Sequence, residues 1–168
     1  MIEFSRIRKV KFPTRGTKYS AGIDFYVPEF TGSFLRDFND KNIVGIDLKR
    51  KLILLHPRDR VNIPSGIRCK INDNTALIAF NKSGISTKLG LDVLANVVDS
   101  DYQGEMHLSV VNTSNKIVEI HPNDKLVQFI SLNVNIDEII EIDNNLIHSQ
   151  LTERSVNGFG STDKNEIQ

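Results

Sequence analysis

Short apolar runs, some of them alternating with polar residues as at 106–112, recur along the chain at near-regular spacing with Gly, Pro, Asn or Asp signals between them. A period of two is the mark of a half-buried strand. Phe4, Ile7 and Val10, set between Arg6, Arg8, Lys9 and Lys11, predict a first strand with a solvated basic face. Residues 13–17 read as a loop, and residues 19–27 as a strand entered through Ala21-Gly22, with Asp24 among apolar neighbours. Further strands are predicted at 49–55, 75–80, 91–94, 106–112, 116–120, 125–134 and 138–142, with turns at Pro57-Arg58-Asp59, 113–115 and Pro122-Asn123-Asp124. Pro64-Ser65-Gly66 interrupts the run 61–71 and predicts two short strands or one kinked one.

Two stretches break the pattern. Residues 82–90 predict the one short helix, with Ser83 near its start and Gly90 as its stop. Residues 29–42 are polar but carry Phe30, Phe34 and Phe38 at helical spacing, and read as an insertion with a helical turn. Many short strands with turn signals and little helix predict an all-β sandwich or barrel. From Asp143 the chain turns polar, and residues 155–162 are rich in Ser, Asn and Gly. That composition predicts a mobile tail. The expected organisation is a β domain over residues 1–143, with an insertion near 29–47, and a C-terminal arm over 144–168.

Composition narrows the function classes. A chain of 168 residues suits one domain. Its 21 basic and 21 acidic side chains cancel, which argues against a broad nucleic-acid surface and leaves room for a local cationic pocket. Cys69 is the only cysteine, so no internal disulfide forms and a reducing compartment fits. His56, His107, His121 and His148 are scattered without metal-ligand spacing. Residues 1–20 lack an apolar signal core, and no apolar run is long enough to span a membrane. The expectation is a soluble cytoplasmic protein with no membrane partner; for a viral chain this means the host cell's cytoplasm.

Five segments carry candidate chemistry. Residues 95–105 run from Val97-Val98 through Asp99 and Asp101 to Tyr102 and a Gln103-Gly104 turn signal, and predict a hairpin holding a carboxylate and an aromatic ring beside a gap. Alone, the two aspartates read as solvated turn residues. Ser83, after Lys82 and before Gly84, either caps its own helix or helps hold an anion there. Gly158-Phe159-Gly160-Ser161-Thr162, with Arg154 nearby, offers backbone donors, hydroxyls and a cation for phosphate, though a plain disordered terminus has the same composition. Phe159 has no core to join in such a tail, which points to a flat partner such as a nucleobase.

Taken together, Ala21-Gly-Ile-Asp24, Lys82-Ser-Gly-Ile85, residues 97–104, Asn123-Asp-Lys-Leu-Val-Gln128 and residues 158–162 resemble the five ordered motifs of the homotrimeric dUTPases. Each is weak alone; five in order across residues 21–162 are specific. The resemblance implies a jelly-roll-like β subunit in a homotrimer, with sites between subunits closed by the C-terminal arm. It implies hydrolysis of dUTP to dUMP and pyrophosphate, limiting uracil in DNA and supplying dUMP for dTMP synthesis. Mg²⁺ is implied on the triphosphate, with no direct protein ligand and Asp24 near its water shell. By the same resemblance Asp99 is the general base, and Tyr102 packs on the deoxyribose. Lys82, Ser83, Gly84 and Gln128 meet phosphates. Uracil lies along residues 91–99 beside Asn96. Phe159 closes over the base, and Arg154, Gly160, Ser161 and Thr162 reach the phosphates.

The chain departs from the family pattern in five places. Lys82 stands where Arg is usual, and a lysine cannot form the two-pronged arginine bond. Asn96 and Asn123 replace common glycines, and Asn tolerates left-handed backbone next best. Ser155 and Asn157 replace glycines of the arm. Residues 29–47 are longer than usual. Two alternatives keep the fold: a dUTPase-like nucleotide-binding or regulatory protein without turnover, and a dCTP deaminase relative.

Overall fold

A computed structural model of the chain describes residues 1–42, 44–148, 152 and 155. It divides into two units, Met1–Asn135 and Ile136–Gln168. The first unit is a jelly-roll-like shell of antiparallel sheets. In chain order it holds β1 (Glu3–Arg6), β2 (Thr14–Arg15), β3 (Ile23–Asp24), α1 (Gly32–Asn39), β4 (Ile46–Asp47), β5 (Leu52–Leu55), β6 (Arg60–Pro64), β7 (Ile67–Lys70), β8 (Thr75–Asn81), α2 (Ser83–Leu89), β9 (Leu91–Val93), β10 (Val97–Val98), β11 (His107–Asn112), β12 (Val118–Ile120) and β13 (Val127–Asn133). A five-stranded sheet runs β10-β8-β13-β3-β2. A three-stranded sheet runs β6-β11-β9, another runs β12-β5-β4, and β1 pairs with β7.

Alternation drives this arrangement. Along β11, Leu108, Val110 and Asn112 are buried and the residues between them are not, the signature of a strand with one face on the core. Pro64 and Gly66 do split residues 61–71 into β6 and β7, and Gly66 takes the left-handed backbone the corner needs (φ 75°). The core gathers Phe25, Phe129, Ile53, Leu55, Ile63, Leu77 and Leu108. Phe25 and Phe129 lie 4.7 Å apart between ring centroids. Buried Asn112 is fully partnered: its amide donates to the Leu55 and Lys116 carbonyls, and its oxygen accepts from Ser114.

Residues 29–42 hold a second helix of eight residues, α1, more than the single short helix and the one turn the pattern gave. Thr31 caps it by accepting from the Phe34 amide. Phe30, Phe34 and Phe38 stack at 5.1 and 5.7 Å, and the last two are fully buried, so this segment is anchored in the core rather than laid over it.

Several expected strands shrink or shift. Residues 13–17 include β2, and residues 19–27 keep only β3 as ladder. The predicted strand at 138–142 does not form: no described strand pairs with it, and Ile139 is 99% exposed. A strand exists only with a partner, and β propensity alone cannot supply one. In this second unit the described residues contain one short 3₁₀ turn, Asn144–Leu146, capped by Asp143.

Candidate active site

The predicted hairpin at residues 95–105 is not a hairpin. β10 pairs with β8, Val97 opposite Ile78 and Val98 opposite Leu77, whereas β11 pairs with β6 and β9. β9 and β10 likewise belong to different sheets, so residues 91–99 are not a two-stranded ladder. The β-branched pair found its partner in the longest neighbouring strand, and residues 99–106 bridge two sheets. That bridge makes the gap the sequence implied. A cavity of about 230 Å³ opens there, lined by Asn62, Val98, Asp99, Tyr102, Glu105 and His107, among others.

Asp99 is exposed, and its main-chain carbonyl accepts from the Tyr102 amide at 3.2 Å, closing the turn. The Tyr102 hydroxyl donates to the Glu105 carbonyl at 2.9 Å, so the ring folds back across Gly104. A Cβ on Gly104 would sit 2.3 Å from that hydroxyl oxygen, and only glycine allows the fold-back. His107 is held below the ordinary histidine range, first by burial and next by the Lys41 ammonium, which lies 2.8 Å from its Nε2. Asn96 does not line the cavity; its amide reaches the Ala79 carbonyl at 3.4 Å. The left-handed residue of this turn is Ala95 (φ 52°), not Asn96, whereas Asn123 does take left-handed backbone (φ 74°).

A second cluster lies on the same five-stranded sheet. Asp24, 6% exposed, bonds the Lys82 ammonium through Oδ1 and the Lys125 ammonium, at 3.1 Å, through Oδ2. Asp24 holds the Lys125 ammonium above the ordinary lysine range. Gln128 stands opposite Asp24 in the ladder, and its side-chain amide donates to the Asn81 carbonyl at 2.8 Å. Gly22 makes room for it, since a Cβ there would lie 2.0 Å from the Gln128 oxygen. Lys82, not Ser83, is the N-cap of α2, and it makes no side-chain capping bond. Ser83 is exposed and its hydroxyl makes no hydrogen bond among the described residues. Gly84 faces open space, and Gly90 ends the helix with left-handed backbone (φ 68°).

The two clusters do not meet within one chain. From Val98 opposite Leu77, Asp99 runs toward the Ala76 end of β8, while Lys82 follows Asn81 at the other end. At about 3.3 Å per residue the ends are roughly 20 Å apart. Arg154, Phe159, Gly160, Ser161 and Thr162 lie outside the described residues. Sequence reasoning passed over Lys125, although it stands inside a motif already singled out. Arg8, read as part of a solvated basic face, instead has a side chain 8% exposed and paired with Asp37 and Glu105. Glu105 and Asn62 were passed over, because their partners are distant in the chain. Among the described residues no cluster of three or more His, Cys, Asp or Glu side chains could hold a metal, and no helix is long and apolar enough to cross a membrane.

A jelly-roll-like shell with a carboxylate and a tyrosine on a small cavity, and an ammonium-rich patch on the same sheet, has the make-up of an enzyme acting on nucleotide phosphates. The dUTPase family model matches residues 38–163. A deoxyuridine 5'-triphosphate nucleotidohydrolase of Fusobacterium nucleatum is 30% identical over 138 residues, 79% of this chain and 92% of the relative. Its counterpart in the Wolbachia of Brugia malayi is 32% identical over 162 residues, 94% of this chain and 97% of the relative. Among solved structures, the dUTPase of Staphylococcus bacteriophage 80alpha with dUPNHPP superposes with a TM-score of 0.73 at 16% identity, over 96% of this chain and 97% of that one. The dUTPase of phage phi11 of S. aureus does so at 0.66 and 15%, over 85% and 96%. The chain belongs to the dUTPase family.

Proposed function

We propose that this chain hydrolyses dUTP to dUMP and pyrophosphate, with Asp99 as the general base. The observation that carries the reading is the placement of Asp99 and Tyr102 on one cavity of about 230 Å³. Whole-ligand pockets run roughly 300–1,000 Å³, so this one suits the nucleoside end of the substrate and leaves the triphosphate outside, toward cations. Asp99 takes a proton from water as the water oxygen bonds to the α-phosphorus. The bond from that phosphorus to the αβ-bridging oxygen breaks, and pyrophosphate leaves. A carboxylate within hydrogen-bond reach of the water is the group this step needs. Tyr102, its ring folded over Gly104, is the surface on which deoxyribose packs.

Lys82, Lys125, Ser83 and Gln128 form the phosphate side. Because they stand at the far end of β8 from Asp99, one copy supplies the carboxylate and tyrosine and another the ammoniums. Such sharing fits a homotrimer with sites between subunits, the assembly the resemblance implies, with the segment 144–168 as the arm that closes each one. Both oxygens of Asp24 already hold ammoniums, so the residues fit a Mg²⁺ carried by the phosphates and reached by Asp24 through water. When bound, that ion would neutralise charge on the departing pyrophosphate. A phi11 dUTPase structure is described as detailing the coordination of a structural Mg(II) ion.

Pyrophosphate release from dUTP, UTP, dTTP and dCTP tests the reaction, and the expected result is turnover of dUTP with strong preference. Ammonia from dCTP, or no turnover of any nucleotide, overturns it. Mixing inactive Asp99→Asn and Lys82→Met chains tests the shared site. Random trimers should regain up to about a quarter of wild-type activity if the groups come from different copies, and none if one copy supplies both.

A further inference from the structure

We propose that the insertion over residues 29–47 is the positioning element of the nucleoside cavity, acting on Tyr102 through Arg8 and Glu105; this rests on reading that cavity as the nucleoside site. Three insertion side chains converge on one wall of it. Asp37, on α1, pairs with the Arg8 guanidinium. Arg8 in turn grips the Glu105 carboxylate with two prongs, Nε to Oε1 at 2.7 Å and Nη2 to Oε2 at 2.8 Å. The Gly66 amide adds a third donor to Oε1 at 2.7 Å. Lys41 reaches His107, and Asn42 brackets the Asn62 main chain, accepting from its amide at 2.7 Å and donating to its carbonyl at 3.0 Å. Glu105, His107 and Asn62 all line the cavity.

The Arg8–Glu105 link fixes the tyrosine. The Glu105 main-chain carbonyl is the acceptor that holds the Tyr102 hydroxyl. The side chain gripped by Arg8 and the Gly66 amide pins that main chain, so a shift of the Glu105 backbone moves the anchor of the ring. The Arg8 and Glu105 side chains are only 8% and 12% exposed, and the Arg8 stem packs against Gly66, where a Cβ would come within 3.0 Å of it. A charge-assisted two-pronged bond is among the most directional a protein makes. Phe34 and Phe38 anchor α1 in the core, so Asp37 acts from a rigid base. An insertion that merely filled space would have no reason to bond the residues behind one cavity: Lys41 holds His107, Asn42 holds the Asn62 main chain, and Asp37 holds Glu105 through Arg8. Arg8, Glu105 and Asp37 touch no reacting atom and are positioning residues for sugar selection.

The test compares wild-type chain with Arg8→Gln, Arg8→Lys and Asp37→Asn. It measures kcat and KM for dUTP and for UTP, with melting temperatures alongside. A displacement near 1 Å at a positioning group costs up to about a hundred-fold, so Arg8→Gln should lower the dUTP-to-UTP preference about ten-fold. The loss should fall mainly on KM for dUTP. Arg8→Lys should recover part of the preference, and Asp37→Asn should shift it two- to three-fold in the same direction, on the order of one exposed ion pair. Folded variants that keep the wild-type preference overturn the inference. Should Arg8→Gln fail to fold, Asp37→Asn, whose carboxylate is 40% exposed, decides it alone. A wild-type chain that releases no pyrophosphate from dUTP overturns the underlying reading instead, and the inference with it.

Discussion

Replacing Asp24 by Asn removes the one negative charge between two ammoniums. In the native chain Lys82 meets Oδ1 and Lys125 meets Oδ2 of a carboxylate whose side chain is 8% exposed. Breaking a fully buried pair costs about 3–5 kcal/mol, and an exposed pair is worth about 0–1 kcal/mol. Here the acid is buried, but the lysine side chains are 23% and 42% exposed and can swing toward water. The expected loss lies between the limits, near about 2 kcal/mol. For a chain of this length that lowers Tm by about 4–8 °C. Calorimetry at neutral pH measures it. Adding Lys82→Met to Asp24→Asn should recover part of the loss, because one of two uncompensated like charges is gone. The pH dependence has a definite sign. Asp24 raises the Lys125 pKa, so the pair's contribution is complete below the ordinary lysine value of 10.5 and fades as pH rises past it. An Asp24→Asn protein that melts within about 1 °C of wild type, far inside the shift expected from a broken pair, would refute the reasoning.

Asp99→Asn should keep nucleotide binding and lose roughly two to four orders of magnitude in turnover, read as kcat against Kd. Gly104→Ala places a Cβ 2.3–2.9 Å from the Tyr102 ring and hydroxyl, so the ring must leave its seat; KM for dUTP should rise and preference over UTP fall, while kcat with saturating dUTP changes little. His107 has a lowered pKa in the folded chain, so its contribution to stability is present above the ordinary value of 6.5 and is lost as pH falls toward the folded value. His107→Gln should flatten that part of the stability profile, measured by urea unfolding between pH 5 and pH 7, about the span where histidine titrates. Lys82→Arg should leave turnover intact or lower KM, because a guanidinium can hold both Asp24 oxygens and still present donors to phosphate.

What the sequence disclosed follows from the range of the forces involved. The alternation of 106–112, the apolar run of 75–80 and the corner at Pro64–Gly66 are local, and each became a strand or a break where the pattern put it. The stop at Gly90 is equally local: it needs left-handed backbone, and a Cβ there would meet that of Ser114 at 2.7 Å. Pairing is not local. Val97-Val98 carries the same propensity whether it faces β8 or β11, and two residues are too few to choose. The choice fell to β8, and it decided the site. Had β10 folded back on β11, residues 99–106 would close a tight loop, and Asp99 would face solvent beside its own turn. Joined instead to β8, that segment must cross from the five-stranded sheet to the β6-β11-β9 sheet. The crossing opens the cavity between them and sets Asp99 and Tyr102 on its rim. Arg8 and Glu105 stand 97 residues apart in sequence, and no spacing rule links them. Their contact exists because the β1–β7 pair brings the start of the chain beside Gly66, whose amide and left-handed turn leave room for the guanidinium at the carboxylate. The candidate residues Asp99 and Tyr102 stand out one by one in the sequence, whereas the wall that holds them is a property of the sheets.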